Sequence, residues 1–162
     1  MTEDENELRS LMNTILGIAQ DNLLRDGFLQ PCGLIFTATG LSKIVEFHFK
    51  GIKQKRRAQA DFKREVIRHG GIAVVIVMEA WFAFAPDLPT DLTISLEHYP
   101  KRREAIFIEA VCLNGPRLAL IQPFRKYGSK IVLEEPIRPG PEFTWDSEWT
   151  GSIWAHIVEG QA

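Results

Sequence analysis

The sequence predicts an α+β domain with one layer of five to six mostly antiparallel strands and two to three helices, in the order α-β-β-α-β-β-β-(α). Of the 162 residues 45% are apolar, which is enough for one domain to bury a core. Two stretches space their apolar residues as a helix does, and the segments between them have strand-like patterns. We assign residues 1–135 to this domain, and residues 136–162 to a Pro-rich linker and a Trp-bearing segment that packs on it.

The first helix is predicted over residues 5–25, because its apolar side chains recur at spacings of three and four. They are Leu8, Leu11, Met12, Ile15, Leu16, Ala19 and Leu23. Asp26-Gly27 ends this helix, since glycine adopts the left-handed conformation that terminates helices. A hairpin follows, with strands over residues 29–37 and 41–49 on either side of Ala38-Thr39-Gly40.

The second helix is predicted over residues 50–69 and ends at Gly70-Gly71. Its charge is +6, in a chain whose formal net charge is −2. The basic residues are Lys50, Lys53, Lys55, Arg56, Arg57, Lys63, Arg64 and Arg68, against Asp61 and Glu65. Arg56 and Arg57 are therefore candidates for binding the phosphates of a nucleic acid or an acidic partner protein. The alternative is a solvated outer helix face that offsets the acidic termini.

Four strands are predicted after this helix. Residues 72–84 are apolar on both faces, which is typical of a central strand. Residues 86–93 form a loop, and residues 103–113, 117–124 and 130–134 form a three-stranded meander. After the Pro-rich linker, the spacing of Trp145, Trp149, Ile153 and Ile157 predicts a short C-terminal helix.

Composition and charge exclude several classes of protein. A membrane span needs about 20 consecutive apolar residues, and the longest apolar run, residues 72–78, stops at Glu79. The acidic N-terminus is opposite in sign to a secretory signal, so we expect a cytoplasmic protein. Cys32 and Cys112 both lie in predicted buried strands and are expected to be free thiols. Nothing in the sequence predicts a metal ion or another cofactor.

Glu79 is the first candidate for a chemical role, because it interrupts an otherwise apolar strand. A buried carboxylate needs a partner, so either the strand reaches the surface there or Glu79 has a dedicated neighbour. If its strand neighbours the one that carries Glu109, the two carboxylates could share a face near Arg103, Arg117 or Arg125. Such a pair could act in general acid and base catalysis. The alternative is that Glu79 and Glu109 are ion-paired or hydrogen-bonded within the sheet and fix its register.

The second candidate is the polar segment that starts at His98 and continues Tyr99-Pro100-Lys101-Arg102-Arg103. Arginine and lysine can hold a phosphate or a carboxylate, so Arg102 and Arg103, together with Arg125, are candidates for anion or substrate binding. His98 adds one titratable imidazole. A metal site is not predicted, because no second histidine lies at ligand spacing from His98.

Three segments of the chain carry a resemblance. Glu79-Ala80-Trp81, then Arg102-Arg103-Glu104-Ala105, with a basic helix before them and residues 121–125 (IQPFR) after them, are similar to segments of small uncharacterised bacterial and phage proteins. The resemblance covers residues 27–135. It implies no activity.

Two functional hypotheses follow. The first is a binding or scaffold module for a macromolecular partner, either another protein or a second copy that associates through a sheet edge or the Trp-bearing tail. Nucleic acid is a further partner that the basic helix would fit. The second is a small hydrolase or acid-base enzyme that uses Glu79 with His98 or Glu109 near Arg103. Convergence of these side chains in an enclosed pocket favours the enzyme, and their dispersal favours the binding module.

Overall fold

The computed structural model describes residues 5–82 and 102–139, which form two helices and six strands. The elements are α1 (Glu5–Asp26), β1 (Cys32–Thr37), β2 (Gly40–Glu46), α2 (Gly51–Arg68), β3 (Ala73–Phe82), β4 (Arg103–Cys112), β5 (Arg117–Tyr127) and β6 (Lys130–Leu133). The predicted α+β class with a single sheet is confirmed. Every predicted helix and strand within these residues is present, and most of their ends lie within three residues of the predicted ones.

The six strands form one sheet in the order β2-β1-β3-β4-β5-β6, and all neighbours are antiparallel. β3 lies inside the sheet between β1 and β4, as its continuous apolar pattern predicted. The predicted meander is also confirmed, and β3 extends it to four strands because it pairs with β4 along its whole length. In this register Glu79 lies opposite Ile106, and Ile76 lies opposite Glu109.

The two helices cover opposite faces of the sheet. On the α1 face, Leu8 and Leu23 pack in one core cluster with Val75 of β3 and Ile106 of β4. On the α2 face, Phe62 and Val66 of α2 share a second cluster with Ile35, Val74 and Ile76. Successive side chains of a strand alternate between faces, so odd-numbered residues of β3 face α1 and even-numbered residues face α2.

The α2 face contains one unusually close approach between helix and sheet. The ring of Phe62 lies directly over Gly33 of β1, and a Cβ atom placed on Gly33 would be 2.5 Å from its Cζ. Phe62 is fully buried and meets Phe47 edge to face, with 5.2 Å between ring centroids. Because Gly33 has no side chain, the rings of Phe62 and Phe47 can pack directly against the backbone of β1.

The chain continues along the edge of β5 after β6 ends. Ile137 exchanges two backbone hydrogen bonds with Ile121, so the beginning of the predicted Pro-rich linker pairs with the sheet. Arg138 then donates to Asn13 Oδ1 of α1, 2.6 Å away. The predicted loop over residues 86–93 and the predicted C-terminal helix lie outside the described residues. In the part of the chain that the structure describes, neither helix is long and apolar enough to cross a membrane.

Candidate functional site

An open cleft of about 580 Å³ lies at the end of the sheet where β3 ends and β4 begins. It brings together four cations, one carboxylate and two aromatic rings. The lining residues are Trp81, Arg102, Arg103, Glu104, Phe124, Arg125 and Lys126. Three of the five residues that the sequence suggested for anion binding, Arg102, Arg103 and Arg125, thus converge on one surface.

The register of three strands assembles this cleft. Phe82 lies opposite Arg103, and Glu104 lies between Trp81 of β3 and Phe124 of β5. Because side chains alternate between the two faces of the sheet, the residues that line the cleft come from both faces. Trp81 and Glu104 lie on the α1 face, and Arg103 lies on the α2 face. The cleft consequently extends around the end of the sheet from one face to the other.

Cations lie over aromatic rings at this end of the sheet. The guanidinium carbon of Arg102 is 4.7 Å from the centroid of the Trp81 ring, and that of Arg103 is 5.4 Å from the centroid of Phe82. Such contacts hold a cation in place by its attraction to the ring face. Phe82 and Phe124 are buried, whereas Trp81 keeps 38% of its surface exposed. Of the aromatic side chains that the structure describes in the cleft, Trp81 is thus the exposed one.

Glu134, which follows β6, connects two of the arginines. Its carboxylate accepts hydrogen bonds from Arg103 and from Nε of Arg125, the latter at 3.0 Å. Its backbone oxygen accepts a hydrogen bond of 2.8 Å from Gln122, which fixes the position of the residue. The hydrogen bond to Glu134 raises the pKa of Arg125 above its ordinary value, so this guanidinium stays charged. Among the described residues, four cations against Glu104 and Glu134 give the cleft a net charge of +2.

The basic half of α2 lies toward the same end of the sheet. Along α2, Val66 approaches Ile35 while Phe62 lies over Gly33, so the helix runs from the start of β1 toward its end. β1 pairs with the first half of β3, and its start reaches the middle of that strand, where Cys32 lies opposite Val77; the second half of β3 extends beyond the start of β1. The first part of α2 is therefore directed toward the end of the sheet that carries the cleft.

Residues 50–60 carry five basic and no acidic side chains. Arg56 and Arg57 are exposed, and no ion pair within residues 5–82 and 102–139 includes either of them. We group these residues with the cations of the cleft under the name basic end, which comprises residues 50–57 at the start of α2, Arg102, Arg103, Arg125 and Lys126.

In the second half of α2, by contrast, the acidic residues Asp61 and Glu65 form ion pairs with basic side chains. Glu65 forms ion pairs with three basic side chains at 3.2 to 3.5 Å: Lys43, Arg68 and His69. Partial burial of Glu65 acts to raise its pKa, but the close ammonium of Lys43, the charge of Arg68 and that of His69 when protonated outweigh it, so the pKa lies below its ordinary value. The charges of the second half of α2 are thus paired within the fold; that the helix offsets the acidic termini stays a prediction, since residues 1–4 and 140–162 lie outside the described residues.

Glu79 and Glu109 do not share a face, and the expectation that they would was wrong. Glu79 lies opposite Ile106 on the α1 face, and Glu109 lies opposite Ile76 on the α2 face. Glu79 accepts a hydrogen bond of 3.0 Å from the backbone N–H of Leu29. This hydrogen bond holds the segment between α1 and β1 against β3.

Glu109 is 98% buried and accepts a hydrogen bond of 2.8 Å from Nε of Arg117 on the neighbouring strand. This contact matches the alternative prediction for Glu109, an ion pair within the sheet. His98, the third residue of the proposed catalytic set, lies outside the described residues. Among the residues that the structure describes, no three His, Cys, Asp or Glu side chains are grouped closely enough to hold a metal ion.

Sequence reasoning missed three members of the site: Trp81 as a ligand-facing ring, Lys126, and Glu134 as the partner of two arginines. Trp81 carried a signal, since it lies two residues after Glu79, the polar interruption of the apolar strand, and therefore on the same face. Comparisons with protein-family models, with curated proteins and with solved structures returned no match. The resemblance to bacterial and phage proteins therefore stays a prediction, as does self-association through a sheet edge.

Proposed function

We propose that this protein is a binding module for nucleic acid and that the basic end is its contact surface. The observation that carries the proposal is the convergence of Arg102, Arg103, Arg125 and Lys126 on one open cleft beside an exposed tryptophan. Arginine and lysine contacts to phosphates supply most of the affinity of proteins for nucleic acids.

Charge distribution supports a polyanion rather than a small anion. The first part of α2 and the residue before it add five cations to the net +2 of the cleft, and both surfaces lie toward the same end of the sheet. A single phosphate or carboxylate would meet only a few of these charges. A chain of regularly spaced phosphates would meet all of them, releasing a counterion at each one.

The enzyme alternative receives less support from the geometry. Glu79 and Glu109 lie on opposite faces of the sheet, and each already has a hydrogen-bond donor within the fold. A catalytic pair must approach the same substrate atoms. Neither carboxylate lines the cleft.

The experiment that tests the proposal is fluorescence anisotropy with labelled oligonucleotides at salt concentrations from about 50 to 200 mM. We expect binding that weakens steeply with salt. A variant with Arg56→Gln and Arg57→Gln should bind about tenfold more weakly at low salt. The slope of log K against log salt should fall by about 0.9 for each phosphate that the variant no longer neutralises.

Arg68→Gln is the matched control, because Arg68 is an exposed arginine at the other end of the same helix and is paired with Glu65. It should leave the affinity unchanged. Failure of the wild-type protein to bind at the lowest salt concentration would overturn the proposal, and so would an equally weakened affinity in Arg68→Gln. Equal binding of poly-glutamate would make an acidic protein the partner and would also overturn it.

A further inference from the structure

We infer that the basic end accepts single-stranded nucleic acid and that an unpaired base stacks on Trp81. The inference rests on the proposed function and specifies its ligand. Two observations support it. Trp81 is exposed beside Arg102, and the cations of the cleft lie on both faces of the sheet at this end.

Trp81 has the position and the support of a stacking platform. It is 38% exposed at the end of β3, a strand in which residues 73–77 are all buried. The guanidinium of Arg102 lies over one face of the ring, 4.7 Å from its centroid, and restrains it, so the base would stack on the opposite face of a ring held beside a positive charge. Exposed aromatic rings interleaved with cations are how proteins hold unpaired bases without reading their sequence. A paired base inside a duplex has both faces covered by its neighbours and cannot use such a ring.

The arrangement of the cations also favours a flexible strand. Trp81 lies on the α1 face, whereas Arg103 and the basic half of α2 lie on the α2 face. A ligand that meets both has to turn around the end of one sheet layer. Duplex DNA has a persistence length of about 150 base pairs and resists so tight a turn. A single strand bends there at little cost.

The test compares an oligothymidylate of about 15 nucleotides with a duplex of the same length, both labelled, by anisotropy at equal salt. We expect the wild-type protein to bind the single strand at least tenfold more tightly. Trp81→Leu should weaken single-strand binding about tenfold, since removing the stacking of one base has an effect of that order, and should leave duplex binding unchanged. Trp81→Phe should keep most of the single-strand affinity because it keeps an aromatic face.

Phe28→Leu is the matched control, because Phe28 is a 57% exposed aromatic side chain that does not line the cleft. It should bind both oligonucleotides as the wild type does. The melting temperature of each variant, measured in parallel, establishes that the fold is retained.

The outcomes separate the two proposals. Absence of binding to either oligonucleotide overturns the proposed function and the inference with it. Equal binding of single strand and duplex, both salt-dependent, leaves the proposed function standing and overturns the inference. An equal decrease of both affinities in Trp81→Leu, or full single-strand affinity in that variant, overturns the stacking role.

Discussion

Substitution of Gly33 by alanine tests the close approach between α2 and the sheet. A Cβ atom at this position would lie 2.5 Å from Cζ and 2.7 Å from Cε2 of Phe62, and 2.8 Å from Cζ of Phe47. Real Cβ atoms essentially never approach within 3.0 Å of another heavy atom. Phe62 is fully buried and Phe47 is 97% buried, so neither ring can move into solvent to make room.

The expected cost follows from two opposing effects. Overpacking a tight core typically costs about 1–3 kcal/mol. Replacing a glycine inside a strand returns about 0.5–1 kcal/mol, because alanine loses less backbone entropy on folding. We therefore expect Gly33→Ala to lower the free energy of unfolding by up to about 2.5 kcal/mol. For a chain of this length that corresponds to a melting temperature lower by up to roughly 10 °C.

Urea unfolding of Gly33→Ala and Gly17→Ala, each against the wild type, measures this effect. Gly17 lies inside α1, and a Cβ atom placed there meets nothing within 4 Å, so Gly17→Ala should stabilise the protein by about 0.5–1 kcal/mol. Adding Phe62→Leu to Gly33→Ala should cost less than Phe62→Leu alone, since the smaller side chain relieves the clash. The reasoning is refuted if Gly33→Ala is as stable as Gly17→Ala.

Two further predictions follow from shifted pKa values. Burial, with the nearby charge of Glu46, raises the pKa of the Cys32 thiol to about 11 from an ordinary 9.0. At a mildly alkaline pH native Cys32 should therefore react with iodoacetamide about a hundredfold more slowly than in the unfolded chain, which peptide mapping over time measures; equal rates would contradict this. The lowered pKa of Glu65 stabilises the fold above the carboxyl pKa of the unfolded chain, and this contribution is lost as the pH falls through the lower folded value. The stability gap between wild type and Glu65→Gln should thus shrink between about pH 7 and about pH 3 in urea titrations, and a constant gap would count against the ion pairs with Lys43 and its neighbours.

Much of the fold could be predicted because its elements are locally consistent. The helix over residues 5–25 and the hairpin around Gly40 follow from spacing and turn residues alone. The position of β1 between β2 and β3 could not be predicted in this way. It depends on how α2 packs across the sheet, and no local pattern encodes that placement.

The mistaken pairing of Glu79 and Glu109 has a simple geometric cause. Alternation along each strand was predicted correctly, but which faces coincide depends on the register between strands. Glu79 lies opposite Ile106, so odd-numbered residues of β3 share a face with even-numbered residues of β4. A shift of one residue would have placed the two carboxylates on the same face. The sequence between the strands does not specify that shift.

The basic end, too, could be predicted from the sequence only in part. The cationic character of residues 50–57 and the candidates Arg102, Arg103 and Arg125 were visible in the sequence. Their common location was not, because it requires the register of β3, β4 and β5 together with the direction of α2. The paired role of Glu134 was hidden as well, since it comes from a residue beyond the end of the last strand.

The carboxylate of Glu134 competes with an anionic ligand for two arginines of the basic end, Arg103 and Arg125. A ligand phosphate that reaches Arg103 and Arg125 competes for their N–H donors with a carboxylate that is already bound to both and is tethered by the hydrogen bond from Gln122. Because the competitor is part of the chain, its local concentration does not fall when the protein is diluted. Binding at these two arginines is then a competition between two anions, which favours moderate affinity and rapid dissociation. A single strand bound as we propose would then be released or passed on without unfolding any part of the sheet.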